Sequence, residues 1–202
     1  MATNLRNSVI PNIGIAPTAV LTTTTNNRYT VIGLNLANTT TNMVQVNIQL
    51  VDSDTYAAHT ISSVATATED GAFTCASTRL QVGQTVTITG ALSGNAVITG
   101  YNNTIQTYYI VATNGTTSFT ISATNGGPAV VTTPGTLTGL SFTVGTIDVN
   151  AYLLKNIMIA PQSSLKACTN GEKIVLGPSN ALKISANVNN AIDAVVSFVE
   201  IL

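Results

Sequence analysis

Tryptophan is absent, histidine occurs once, cysteine twice, and only 7% of the 202 residues are charged. An average soluble domain carries roughly 25% charged residues. Each shortage removes a class of function. A nucleic-acid binder needs clusters of Lys and Arg to displace counterions from phosphates, and this chain has seven basic residues in all. Disorder requires low hydrophobicity with high net charge, whereas 45% of the residues are hydrophobic and the formal net charge is −1. A transmembrane helix needs about 18 consecutive apolar residues. The longest apolar stretches, such as Ala194–Val199, are interrupted by Ser or Asn. The opening stretch Met1–Pro11 carries Asn4, Asn7 and Ser8, so a secretory signal is not expected there.

Cys75 and Cys168 fall in segments assigned below to different domains. They are expected to be buried free thiols behaving as small apolar groups. A disulfide scaffold would need more cysteines in a shorter secreted chain, so folding in a reducing cytoplasm is expected.

What the chain has instead is Thr, 34 times, and Asn, 21 times. Both are neutral, so the surface must be made polar without charge. Near-zero net charge promotes association, which points to a component of a larger assembly. At about 200 residues, one large β domain or two small ones bury roughly 70% of the unfolded surface.

Strand signals dominate. Tyr29–Ala37 (YTVIGLNLA) and Met43–Val51 (MVQVNIQLV) carry alternating apolar residues, the second with period two throughout. Asn38-Thr39-Thr40-Thr41-Asn42 lies between them as a turn, so an antiparallel hairpin with one wet face is expected. From Ala58 to about Val144 the texture changes. Charges fall to Glu69, Asp70 and Arg79, and lysine is absent. Short strands are predicted at Gln84–Thr89, Thr107–Thr113, Ser118–Ser122, Ala129–Thr132 and Leu140–Val144. Turns are predicted at Asn114-Gly115, where a type I′ hairpin turn is favoured, at Asn125-Gly126-Gly127-Pro128 and at Pro134-Gly135. After Asp148 the first texture returns with all four lysines (Lys155, Lys166, Lys173, Lys183). Strands are predicted there at Tyr152–Ala160, Ser164–Cys168, Lys173–Leu176, Ala181–Ser185 and Ala191–Leu202, with turns at Asn170-Gly171 and Gly177-Pro178. No sustained 3.6-residue apolar period occurs, so helix should be scarce.

The expected fold class is all-β. Residues 1–57 and 148–202 form a discontinuous host β-sandwich of jelly-roll type, for assembly and anchoring, interrupted by a surface-displayed small β domain at 58–147. Val44–Val51 and Ala151–Ile159 would then be neighbours in one sheet.

Catalytic chemistry finds little to work with. His59 is the only candidate base, and no G-x-S-x-G elbow accompanies it. It reads as an exposed linker residue. Asp52-Ser53-Asp54 offers too few oxygens for Ca²⁺ without outside ligands and reads as a solvated strand end. Glu69-Asp70-Gly71 reads as a turn, because a paired-carboxylate glycosidase site would need aromatic walls. Gly90, Gly94 and Gly100 lack the lysine and helix of a phosphate loop. Tyr101, Tyr108 and Tyr109 are the surface-contact candidates. Of the adjacent pair, one side chain must point inward and one outward.

Three stretches carry a family resemblance. The C-terminal run AYLLKNIMIAPQSSLKACTNGEKIVLGPSNALKISANVNNAIDAVVSFVEIL resembles the end of small virion structural proteins of tailed bacteriophages: a Tyr-Leu strand, a Pro bend, a Gly-led strand with Lys, Ile, Val and Leu, and a closing strand of the D-A-V-V-S type. RYTVIGLNLANTTTNMVQVNIQLVD is similar to their opening strands. The middle run QVGQTVTITGALSGNAVITGYNNTIQTYYIVATNGTTSFTISATNGGPAVVTT is similar to immunoglobulin-like or other small β modules inserted into phage surface proteins. The resemblance implies a non-enzymatic role as a capsid decoration or cement protein, assembled in the host cytoplasm and carried on the virion. It implies no catalytic residue, no metal and no cofactor. The implied partners are copies of itself in a trimer or ring and other virion proteins such as major capsid, portal-proximal or tail proteins, with neither nucleic acid nor membrane. The alternatives are a neck, collar or tail adaptor of the same fold, and a host-surface or glycan-binding module using the tyrosines.

Overall fold

A computed structural model describes residues 3–66, 71–76, 79–168 and 171–201. These residues form strands, turns and coil, with no helix among them. In chain order the strands are β1 (Thr3–Ile13), β2 (Thr18–Thr22), β3 (Arg28–Asn38), β4 (Val44–Asp52), β5 (His59–Ile61), β6 (Ala65–Thr66), β7 (Ala72–Thr74) and β8 (Thr85–Gly90). They continue with β9 (Gln106–Thr113), β10 (Ser118–Ser122), β11 (Leu140–Val144), β12 (Val149–Ile159), β13 (Ser164–Lys166), β14 (Ile174–Leu176), β15 (Asn180–Ala186) and β16 (Ile192–Ile201). The chain divides into two compact units, Met1–Asp54 with Val149–Leu202, and Thr55–Asp148.

The discontinuous unit is a sandwich of two antiparallel sheets. One runs β1-β16-β3-β13, with β14 also on β3; the other runs β12-β4-β15-β2. Alternation explains which residues meet between them, since successive strand side chains point to opposite faces. In β16, Ile192, Ala194, Val196 and Phe198 are buried, while Val195 is exposed. In β4, Val44, Val46 and Ile48 are buried opposite them. Leu34, Leu36, Leu182 and Ile184 complete one continuous core. The strands flanking the other unit are direct neighbours: β4 pairs antiparallel with β12, with Asp52 opposite Val149.

The hairpin expected from Tyr29–Ala37 and Met43–Val51 does not form. β3 and β4 lie in different sheets, so residues 38–42 arch from one layer to the other. The buried Asn38 makes the arch possible. Its Nδ2 donates to the carbonyls of Asn42, Ile159 and Ala160 at 2.8, 3.1 and 3.0 Å. Its Oδ1 accepts from Thr40 N–H and Oγ1, both at 2.9 Å. One side chain thus bonds three carbonyls, one within the arch and two at the end of β12.

The second unit is one seven-stranded path, β5-β11-β8-β9-β10-β7-β6. Phe73 on β7 and Phe142 on β11 are four strand steps apart, about 19 Å in a flat sheet. Their ring centroids are 6.0 Å apart, so the sheet rolls up on its apolar face. Phe119 stacks on Phe73 at 5.3 Å, and Val86, Ile88, Ile110, Ile121 and Val144 fill the rest. The immunoglobulin-like topology expected for this unit, with two separate sheets, finds no support in this strand order.

Two smaller expectations also change. Ala129–Thr132 is not a strand; it contributes one bridge, Thr132 to Ile98, because Pro128 and Pro134 bracket it and cannot donate to a ladder. The β9–β10 loop has positive φ at Gly115 and not at Asn114, so it is not type I′. Asn114 Oδ1 instead accepts the N–H groups of Thr116, Thr117 and Ser118 at 3.0, 2.9 and 3.0 Å. Glu69, Asp70, Asn170 and Leu202 lie outside the described residues.

Candidate functional site

The surface with the strongest claim is the outer face of the β1-β16-β3 sheet. Residues directly opposite in an antiparallel pair share a face. The registers therefore put Val9, Val195, Asn35 and Lys166 side by side across four strands. The next outward level is Asn7, Ser197 and Gly33, and the one after is Leu5, Val199, Thr30 and Val175. Leu5 is 72% exposed, Val9 65%, Val175 63%, and Ile32 and Val195 are also exposed. Ser197 and Gly33 leave the middle of the face low. The charges on the three long strands of this face stand at opposite ends, with Asp193 beside Ala37 at one and Arg28 beside Ile201 at the other.

The same strands bring a charge pair to the inward side. Glu200 is buried, and Arg6 Nε lies 2.9 Å from its Oε2, with the Arg6 side chain 58% exposed. Asn27 Nδ2 donates to Oε1 at 3.1 Å and Tyr29 OH reaches it at 3.5 Å. Tyr29 in turn packs on Phe198, ring to ring at 4.8 Å. This cluster anchors β1 to β16 and offers no nucleophile.

The three tyrosines divide. Tyr108 is a core residue, 5% exposed, and its hydroxyl donates to Gln106 Oε1 at 2.7 Å, so it presents no surface for contact. Burial, with the neighbouring Tyr101 phenol, pushes the Tyr108 hydroxyl above its ordinary pKa. Tyr101 is half-buried and its hydroxyl donates to the Gly90 carbonyl. Tyr109 points to the opposite face from Tyr108 and is half-buried between Thr85 and Ser122. They do not form one patch.

His59 is a half-buried strand residue of β5, not an exposed linker, with Nδ1 2.9 Å from the Ala57 carbonyl. Asp52 Oδ1 accepts the Asp54 N–H at 2.9 Å, a local turn. Among the described residues no three His, Cys, Asp or Glu side chains gather as a metal set. Both cysteines are free and half-buried rather than buried, and burial raises both thiol pKa values, with Glu172 adding at Cys168. A cavity of about 460 Å³ opens into the sandwich between Leu153, Leu154, Cys168, Lys173 and Ile174. It is mostly apolar.

No family model, no curated protein and no solved structure matches the chain.

Sequence reasoning missed β1, whose pattern is almost wholly exposed. Its signal was the alternation of Leu5, Asn7 and Val9, which has polar residues on both flanks and so lacks an apolar core face.

Proposed function

We propose that the chain is a non-enzymatic structural protein of a tailed bacteriophage virion, a capsid decoration or cement subunit that binds the particle as an oligomer. The observation that carries this reading is the outer face of the β1-β16-β3 sheet. It exposes Leu5, Val9, Val175 and Val195, with Asp193 and Arg28 at the two ends of the long strands and Lys166 on the flanking strand β13. Large exposed apolar residues gathered on one face mark an interaction surface, and uncharged contacts avoid the cost of desolvating ions. The resemblance of the host strands to phage structural proteins supplies the setting.

A neck, collar or tail adaptor uses the same fold and the same face, and copy number per particle separates it from decoration. The glycan-binding reading loses ground because Tyr108 is buried. The test is light scattering on the purified chain with a binding assay on capsids lacking it. The proposal expects a multimer with interfaces above roughly 1,000 Å² in the assembled particle. A stable monomer that does not bind capsids would overturn it.

A further inference from the structure

The inference here rests on the reading that the chain assembles with copies of itself. We infer that two copies meet face to face through the outer surface of the β1-β16-β3 sheet, with their strands antiparallel about a two-fold axis. Such a contact is isologous, so each residue meets a partner fixed by the axis. An axis lying across the strands at the level of Ser197 and Gly33 keeps each strand over its own copy and reverses the levels. Val9 and Val195 of one copy then rest on Leu5 and Val199 of the other, apolar on apolar, while at the flank Lys166 of one copy comes over Val175 of the other, its ammonium at the edge of the contact. Asp193 of one copy comes over Ile201 of the other, one strand from Arg28. An axis along the strands would instead leave Asp193 near its own copy and Arg28 without an acid.

The charge pattern therefore selects the partner and the direction. A second copy carries an acid and a base at the two ends of the same face, and the antiparallel arrangement pairs them twice. Aligned sheets pack about 10 Å apart, a gap that Arg28 can span. The small Ser197 and Gly33 lie on the axis, where a Cβ on Gly33 would already sit 3.5 Å from the Ser197 Cβ. The flat area is about 19 Å by 27 Å, on the order of 500 Å² per copy, less than the roughly 800 Å² of a standard interface. The pairing should therefore be weak, titrating in the micromolar range, and any larger ring needs a second surface.

The experiment is sedimentation velocity on the full chain over a concentration series. The wild type should dimerise, and Arg28→Glu should raise Kd at least about tenfold, because like charges facing each other oppose contact. Asp193→Arg should do the same, and the double reversal should return Kd to within about threefold of wild type. Asp193 Oδ1 also accepts the Asn12 N–H at 2.9 Å, so Leu5→Glu, at an exposed site, provides a second disruption that leaves that turn intact. A multimer unaffected by Arg28→Glu and Leu5→Glu would overturn this surface while leaving self-assembly standing. A double reversal as weak as either single variant would overturn the antiparallel register. A wild type monomeric at all concentrations would overturn both the surface and the self-assembly on which it rests.

Discussion

Asn38 is where a single side chain decides the topology. Its amide serves three backbone carbonyls and its oxygen caps Thr40, so the chain leaves one sheet and enters the other. Asn38→Ala should destabilise the discontinuous unit by on the order of 2 kcal/mol, since the buried Ile159 carbonyl loses its side-chain donor while the Ala160 carbonyl keeps Ser163 Oγ. Denaturant unfolding measures it. Gly90 holds φ at +103° and an added Cβ would meet the Gly139 carbonyl. Gly90→Ala should therefore cost the other unit roughly 1–3 kcal/mol, read as a shift confined to one melting transition. The thiols give a pH test with a defined sign. Burial raises both pKa values from the ordinary 9.0, so less thiolate is present at any pH below that than in a free cysteine. Both should react with a disulfide reagent more slowly than free cysteine at pH 8 and accelerate as pH rises.

Strands with one apolar face were legible in the sequence, and strands without one were not. The alternation of Val44, Val46 and Ile48 matches the burial of β4, and the even residues of β16 are its inward set. Partner choice was hidden, because alternation states which face is buried and not which strand lies alongside. That is why β3 and β4 read as a hairpin while pairing with β16 and β15. β1 escaped because an edge strand held by an inward Arg6–Glu200 pair needs few buried residues. Among the site residues, sequence placed one of Tyr108 and Tyr109 inside without saying which. The separation of β4 and β12 in sequence also makes a test. Asp52 and Val149 are opposite one another, so replacing residues 53–148 with Asn-Gly closes a plain hairpin. The shortened chain should unfold in a single cooperative transition by circular dichroism; loss of its β signal would contradict the independence of this unit.

The composition of the whole molecule follows from its two separate cores. Each unit buries its own apolar cluster, and Thr and Asn supply hydrogen-bonding surface without adding to a net charge of −1. A chain with so little charge repulsion associates readily, which suits a subunit held among others and suits poorly a protein that works alone. The most direct measurement of the proposed role is a density map of the intact virion in which the proposal places the chain. A decoration subunit predicts hundreds of symmetry-related copies on the capsid, each showing the β-sandwich in contact with neighbouring protein. A purified particle with no density for this fold, and no trace of the chain by mass spectrometry, would contradict it.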